Sequence, residues 1–459
     1  MSIAGSLHTP AALLPDGWAA DVELRWDADG VLISVQRGVP SGAGSTAPSA
    51  AGPLLPGLPN LHSHAFQRAF AGLTEYRSSA EADSFWTWRD RMYRFALAVS
   101  PEQLEAIATQ LYIEMLGAGY TSVCEFHYLH HDRAGQPYDD PAEMALRLAA
   151  AARRAGIGLT LLPVLYQDSG FGGKPPRIEQ RRFISRVELL LEIVERCIAA
   201  GVRTGAAPHS LRAVSPAVLD DLLQGLDAIA PGAPLHIHVA EQRQEVDDCI
   251  AWSGRRPVQW LLENAPPDAR WCLVHATHVD ERETEALAAS GAVAGLCPTT
   301  EANLGDGLFP AGSYLAKQGR IGIGTDSHVE VSVAGELRLL EYGQRLALGQ
   351  RSVLASTTHP SPGENLYVEA AGAGAQALGL EAGRIAPGCR ADLVALEAEH
   401  PALWNKAPAQ VMDAWIFAGD ASCVRDVMVA GRWRIRARRH DEERELARRY
   451  RAAQAALAS

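Results

Sequence analysis

Histidines 62 and 64, a His238-x-x-Glu241 pair, a lone His275 and an Asp326 that closes a glycine-rich run are the residues of this chain best suited to chemistry. Side chains alternate along a strand, so His62 and His64 project to one side and can bind a single ion through imidazole nitrogens. Taken alone, the pair also reads as ordinary polar residues at a strand end. Adding His238 and Asp326 makes a set of three nitrogens and one carboxylate, suited to zinc, iron or another first-row ion. Such an ion lowers the pKa of bound water toward about 7 and makes hydroxide available at neutral pH. The chemistry expected is hydrolysis.

The elements that must bring these residues together recur along the chain as a short apolar run, a polar residue at its end, and a segment with helical periodicity. Strands are expected at 57–61, 122–126, 159–166, 204–207, 235–239, 271–274, 292–296 and 321–324. Helices begin after Ser100 and Ser215, each with proline at the first helical position, over 101–116 and 216–228. Strands alternating with helices predict an α/β fold, a TIM-like (β/α)8 barrel spanning 56–383. Strand C-termini share one mouth in that fold, which gathers His62, His64, His127, His209, His238, His275 and Asp326. The flanks alternate in the manner of strands, with a loop at 41–52, and predict a small β-sandwich domain assembled from 1–55 and 384–436. Arginine and glutamate dominate the tail, which reads as a solvated C-terminal helix over 437–459.

The 459 residues suffice for one large and one small domain, and 47% hydrophobic with 21% charged residues is ordinary for a globular protein. A net charge of −12 argues against nucleic acid or an anionic membrane as partner, so an anionic substrate must find a local basic pocket. The seven cysteines are odd in number, scattered and never Cys-x-x-Cys, which marks them as reduced core residues. The N-terminal stretch lacks the basic and apolar pattern of a secretory signal, and a cytoplasmic location is expected.

The motifs LPGLPNLHSHAF, LHIHVAE, WCLVHATHVD, IGIGTDSH and the closing IAPGCRADLVAL resemble, in order and over nearly the whole chain, those of the amidohydrolase superfamily. That resemblance implies metal-dependent hydrolysis on a barrel with a flanking β-sandwich, with His62, His64, His238 and Asp326 on the metal. Two-metal members bridge the ions with a lysine from strand four; here the lysines are Lys174, Lys317 and Lys406, none at a strand end. One divalent ion per subunit is therefore expected, with zinc favoured by the resemblance. Glu241 can carry a proton from water to a leaving nitrogen, or else cap a helix at the surface. His275 can hold the attacking hydroxide or polarise the carbon under attack, and Asp326 can take a proton as well as bind metal. The His-x-x-Glu form of strand five is similar to that of members expelling ammonia from an amidine-like carbon, so deamination is expected.

The segments NLHSHAFQRAFAGLTEYR, SFWTWRDRMYR, EFHYLHH, APHSLRAVSP and CPTTEANLGDGLFP resemble the branch that hydrolyses N-formimino-L-glutamate to N-formyl-L-glutamate and ammonia in histidine breakdown. The substrate would be a small dianion, which favours bidentate arginines. The resemblance assigns Gln67 and Arg89 to one carboxylate, and Tyr128, His209 and Arg212 to the other end of the substrate, with a homodimer as the assembly. Arg91 is an alternative to Arg89, and Arg89 or Arg212 could instead form a surface ion pair. His127, His130 and His131 read as a crowded strand end or a second metal cluster, and Trp86 with Trp88 as a lid or as packing. The rival readings are a guanine or other heterocycle deaminase, and a barrel that has lost catalysis and acts as a scaffold.

Overall fold

The computed structural model describes residues 3–41, 47–75, 85–357 and 359–458, with the side chains of 85, 86 and 458 excepted. Part of the expected loop at 41–52 and the side chain of Trp86 thus lie outside the described residues.

Eight parallel barrel positions follow one another around a closed wall. Leu58–Ser63, Tyr120–His127, Gly158–Leu165 and a split fourth strand, Arg203–Thr204 with Ala207–Pro208, make one half. Leu235–Val239, Trp271–His275, Val293–Leu296 and Arg320–Ile323 make the other. Single parallel bridges close both seams: Ala206 to Leu235 and Ser210 to His238 join the fourth strand to the fifth, and Ser63 to Asp326 joins the eighth to the first. The fourth strand is expected as one run over 204–207, but it breaks at Gly205. A Cβ there would stand 2.2 Å from the Pro234 carbonyl oxygen, so the two backbones approach too closely for any side chain.

The barrel's inner and outer faces are both covered, and the buried residues of strands and surrounding helices form one continuous core. The helix starts follow their caps. Ser100 accepts from the Gln103 amide in a reciprocal capping box before Pro101–Gly117, and Ser215 accepts from the Val218 amide before Pro216–Ile229.

The two ends of the chain meet in a second body. Arg439–His440, Arg432–Arg436, Val424–Val429, Leu393–Leu396, Leu54–Pro56, Gly5–Leu14, Gly17–Trp26 and Leu32–Gln36 form, in that spatial order, one eight-stranded sheet. A separate cluster including Leu7, Val22, Leu24, Trp26, Leu32, Ile385, Leu393 and Met428 is its core. The sheet runs on to His440 through the Arg436 to Arg439 pairing, into the stretch expected as helix, and the terminal helix is Glu443–Ala458. That helix is not solvated all round: Leu446 and Ala453 are buried, and Ala453 packs with Ala69 and Ile107. Its charge-rich composition conceals a narrow apolar stripe. Among the described residues no helix is long and apolar enough to cross a membrane.

Candidate active site

Side chains from the ends of the first, fifth and eighth barrel strands converge at the mouth. His62 Nε2 lies 3.1 Å from His64 Nε2 and 3.0 Å from His238 Nε2. Asp326 Oδ1 stands 3.5 Å from His62 Nε2 and 3.2 Å from His64 Nε2. All four residues are buried.

The hydrogen-bond pattern tests whether this set suits a cation. His64 Nδ1 meets the Phe126 carbonyl at 2.9 Å, and His238 Nδ1 meets the His209 carbonyl at 3.1 Å. A carbonyl only accepts, so both Nδ1 atoms carry hydrogen and both Nε2 atoms present bare lone pairs to the cluster. His62 can donate from its own Nε2 to only one of them. Burial holds the His62 imidazole down at about 3, against its hydrogen bond to the Asp326 carboxylate, and also lowers His64 and His238. Neutral, facing nitrogen lone pairs beside a carboxylate are a donor set that a divalent ion satisfies, and His62, His64 and His238 offer ligand atoms all within 4.8 Å of one another.

Backbone geometry aims these groups. Ala240, His275 and Asp326 have φ of 52°, 69° and 44°, in the left-handed region that costs a residue other than glycine on the order of 1 kcal/mol or more. Each stands where the chain turns out of the barrel. Gly324 lets the eighth strand close on the first, since a Cβ there would lie 2.8 Å from the His62 backbone. The turn carrying His64 is pinned by Glu125, which accepts from Ser63 Oγ at 2.6 Å, the Ala65 amide at 2.6 Å and the Tyr112 hydroxyl at 3.1 Å. His328 Nε2 accepts from the His64 amide at 3.2 Å.

Beside the nitrogen cluster lies a group of titratable side chains. Glu241 Oε1 is 3.8 Å from His275 Nε2, whose Nδ1 is 3.2 Å from Glu301 Oε1. His275 Nε2 is 3.9 Å from Asp326 Oδ2. Burial pushes the Glu241 carboxyl up to about 7, with His275 and Arg212 pulling the other way. For His275 burial opposes the charge, yet Glu241, Glu301 and Asp326 prevail and raise the imidazole to about 10. For Asp326 burial likewise works upward, but the His62 hydrogen bond and the neighbouring imidazoles hold the carboxyl low.

These groups open into a pocket that Gln67, Arg89, Tyr128, His209 and Arg212 also line. Gln67 Nε2 donates to the Tyr128 hydroxyl at 2.9 Å. Arg89, on the helix Phe85–Ala98, holds its guanidinium 5.6 Å from the Tyr93 ring centre. Arg91 on the same helix turns away and donates to the Thr74 carbonyl at 2.8 Å. Arg212 lies between two carboxylates, 3.8 Å from Glu241 and 3.7 Å from Glu245, while Glu245 accepts from the amides of Ala240 and Glu241. The His209 ring packs 4.9 Å from His238 and 4.4 Å from Tyr166. Trp88 lines the pocket and packs 6.0 Å from Phe70.

His127, His130 and His131 form no ligand group among the described residues. His130 and His131 turn to the carbonyls of Val164 and Ile184 at 2.9 and 2.7 Å, which accounts for the crowding. Missing from the sequence reading are Cys297, which shares a ligand-like group with His275 and Asp326, and Glu301, Glu245 and Glu125. Glu301 lies inside the quoted CPTTEANLGDGLFP segment, but one acidic residue on a short helix carries no spacing signal of its own.

Residues 54–434 match the Amidohydrolase family, and residues 5–47 match the N-terminal domain of formimidoylglutamate deiminase HutF. The formimidoylglutamate deiminase of Pseudomonas aeruginosa is 55% identical over 448 residues, 96% of this chain and 97% of that protein. A crystal structure of an amidohydrolase from Brucella melitensis superposes with a TM-score of 0.92 at 47% identity, over 99% of this chain and 100% of that one. An adenosine deaminase from Xanthomonas campestris with bound zinc shares the fold alone, at a TM-score of 0.80 and 22% identity over 99% and 98% of the two chains. The matched span, the close relatives and the barrel agree: the chain belongs to the amidohydrolase family, in its formimidoylglutamate deiminase branch.

Proposed function

We propose that this chain hydrolyses N-formimino-L-glutamate to N-formyl-L-glutamate and ammonia, a step of histidine breakdown. The observation that carries the reading is one buried pocket in which the three-imidazole, one-carboxylate cluster and Glu241 adjoin two arginines, Arg89 and Arg212. A neutral heterocycle has no use for two guanidinium groups, whereas a substrate with two carboxylates does.

His62, His64, His238 and Asp326 would hold one divalent ion, for which we propose zinc. The ion would supply Lewis acidity, lowering the pKa of a water molecule toward about 7. The carbon attacked is that of the formimino C=N; water adds, the C–N bond to the terminal nitrogen breaks, and that nitrogen leaves as ammonia once protonated. Glu241 Oε1 is the group suited to the transfer: near 7 its carboxyl can both take a proton from water and return it to the departing nitrogen. His275, charged and held by Glu301, orients the attacking oxygen or polarises the carbon under attack. Gln67 and Arg89 are proposed to bind one carboxylate, and Tyr128, His209 and Arg212 the other end of the substrate.

The same reading divides the chain into a sheet domain of 1–55 and 384–436, folded as a small sandwich, a catalytic barrel of 56–383 and a terminal helix within 437–459. A cytoplasmic homodimer completes it; the seven free, buried cysteines suit a reducing compartment.

Ammonia release from N-formimino-L-glutamate, guanine, cytosine and N-formimino-L-aspartate by zinc-loaded enzyme tests the assignment. The expected preference is for formimino-glutamate by at least tenfold; faster turnover of a heterocycle overturns it.

A further inference from the structure

Two phenols that the catalytic scheme does not use, Tyr93 and Tyr166, line the same pocket. Tyr93 comes from the helix that carries Arg89, and Tyr166 from the end of the third barrel strand. Both are tied to Gln180, which is buried behind them. Gln180 Nε2 lies 3.1 Å from the Tyr93 hydroxyl and 2.7 Å from the Tyr166 hydroxyl. The orientation of that amide is fixed from its other end, because the Arg177 backbone N–H meets Gln180 Oε1 at 2.7 Å and can only donate. The Gln180 NH2 therefore faces the phenols and gives one hydrogen to each.

Both phenol oxygens thus act as acceptors toward Gln180, and each keeps its own hydrogen to give elsewhere. The Tyr93 hydroxyl also neighbours that of Tyr166 and acts on it. That contact uses at most one of the two hydrogens, so at least one donor is left for a third acceptor. The guanidinium groups of Arg212 and Arg89 both act on Tyr166, so the phenol sits in the field of both cations. Burial nevertheless keeps its hydroxyl protonated far above neutral pH, and it remains a donor throughout. A protonated donor that shares a pocket with two cations is matched by a carboxylate. Tyr166 packs on His209, which packs on the ligand-set residue His238, so the phenol lies one layer further out than the nitrogen cluster.

We propose that Tyr166 is a specificity-determining residue that donates its hydroxyl hydrogen to the side-chain carboxylate of the substrate, with Tyr93 and Gln180 as the residues that position it. The proposal rests on the formimino-glutamate reading and adds a neutral third donor to the arginine pair. The positioning is self-consistent: the segment bearing Gln180 also ties down the arginine helix, since Arg177 pairs with Asp90 at 3.1 Å and Phe183 packs 5.7 Å from Tyr93.

The test is steady-state ammonia release by Tyr166→Phe, Tyr93→Phe and wild type, on N-formimino-L-glutamate and on N-formimino-L-norvaline, which lacks the side-chain carboxylate. Removing one hydrogen bond to a charged group is expected to raise KM of Tyr166→Phe for formimino-glutamate by about tenfold or more, with kcat within about threefold and metal content unchanged. On formimino-norvaline the variant and wild type should agree within about twofold. Tyr93→Phe should shift KM in the same direction by a smaller factor, and it carries the test if Tyr166→Phe does not fold. Unchanged KM for formimino-glutamate, or an equal loss on both substrates, overturns the inference while leaving the deaminase reading standing. A wild-type enzyme that turns over neither formimino substrate overturns both.

Discussion

At the scale of single residues, proton transfer is proposed for Glu241 and a standing positive charge for His275. Replacing Glu241 by Gln keeps the shape and removes the proton acceptor. We expect kcat to fall by about 10²- to 10⁴-fold with the metal content unchanged, measured as ammonia release against zinc per chain. The pH profile follows from the same carboxyl. Glu241 must be ionised to accept a proton, and burial sets its titration near 7. Activity is therefore lost as pH falls through that value, about tenfold per unit below it, and a bound divalent ion would move this limb lower. On the alkaline side His275 keeps its charge up to about 10, so no loss from that group is expected below pH 9. The convergence of His62, His64, His238 and Asp326 was legible in sequence because each ends an apolar run, and the strand period fixes which way they face. Glu301 and Glu125 were not, because each reaches the site across a contact between elements that no local spacing announces.

At the scale of elements, the site depends on a helix held by a buried cation. Arg182 is fully buried, has no ion-pair partner among the described residues, and donates to the carbonyls of Ala96, Val99 and His131. It thereby fastens the last turn of Phe85–Ala98, the helix bearing Arg89 and Tyr93, to the loop beyond the second barrel strand. Arg182→Met would leave those carbonyls without a donor, at a cost on the order of 3 kcal/mol. The expected outcome is a thermal midpoint lower by several degrees and a raised KM, by calorimetry and kinetics on the same preparation. Most barrel strands could be read from apolar runs with a polar end. The fourth could not be bounded, since its break at Gly205 comes from a neighbour about thirty residues away. The buried stripe of the terminal helix was hidden by its arginines and glutamates for a similar reason: burial there depends on the face presented to Ile107.

For the whole molecule, the proposed ion site lies where the barrel closes. The eighth strand meets the first at Ser63 and Asp326, and the fourth meets the fifth at Ser210 and His238, so both seams run through or beside the cluster. Chelation should therefore abolish ammonia release and also lower the thermal midpoint, both restored by zinc, since a ligand that binds only the folded state stabilises it. A midpoint indifferent to chelation would separate the cluster from the stability of the barrel. The most direct test of the central claim is anomalous diffraction at the zinc edge on crystals of the zinc-loaded protein. The account predicts one peak per chain, about 2.0–2.2 Å from Nε2 of His62, His64 and His238 and from an Asp326 oxygen. Two peaks, or none with those four side chains turned apart, would contradict it.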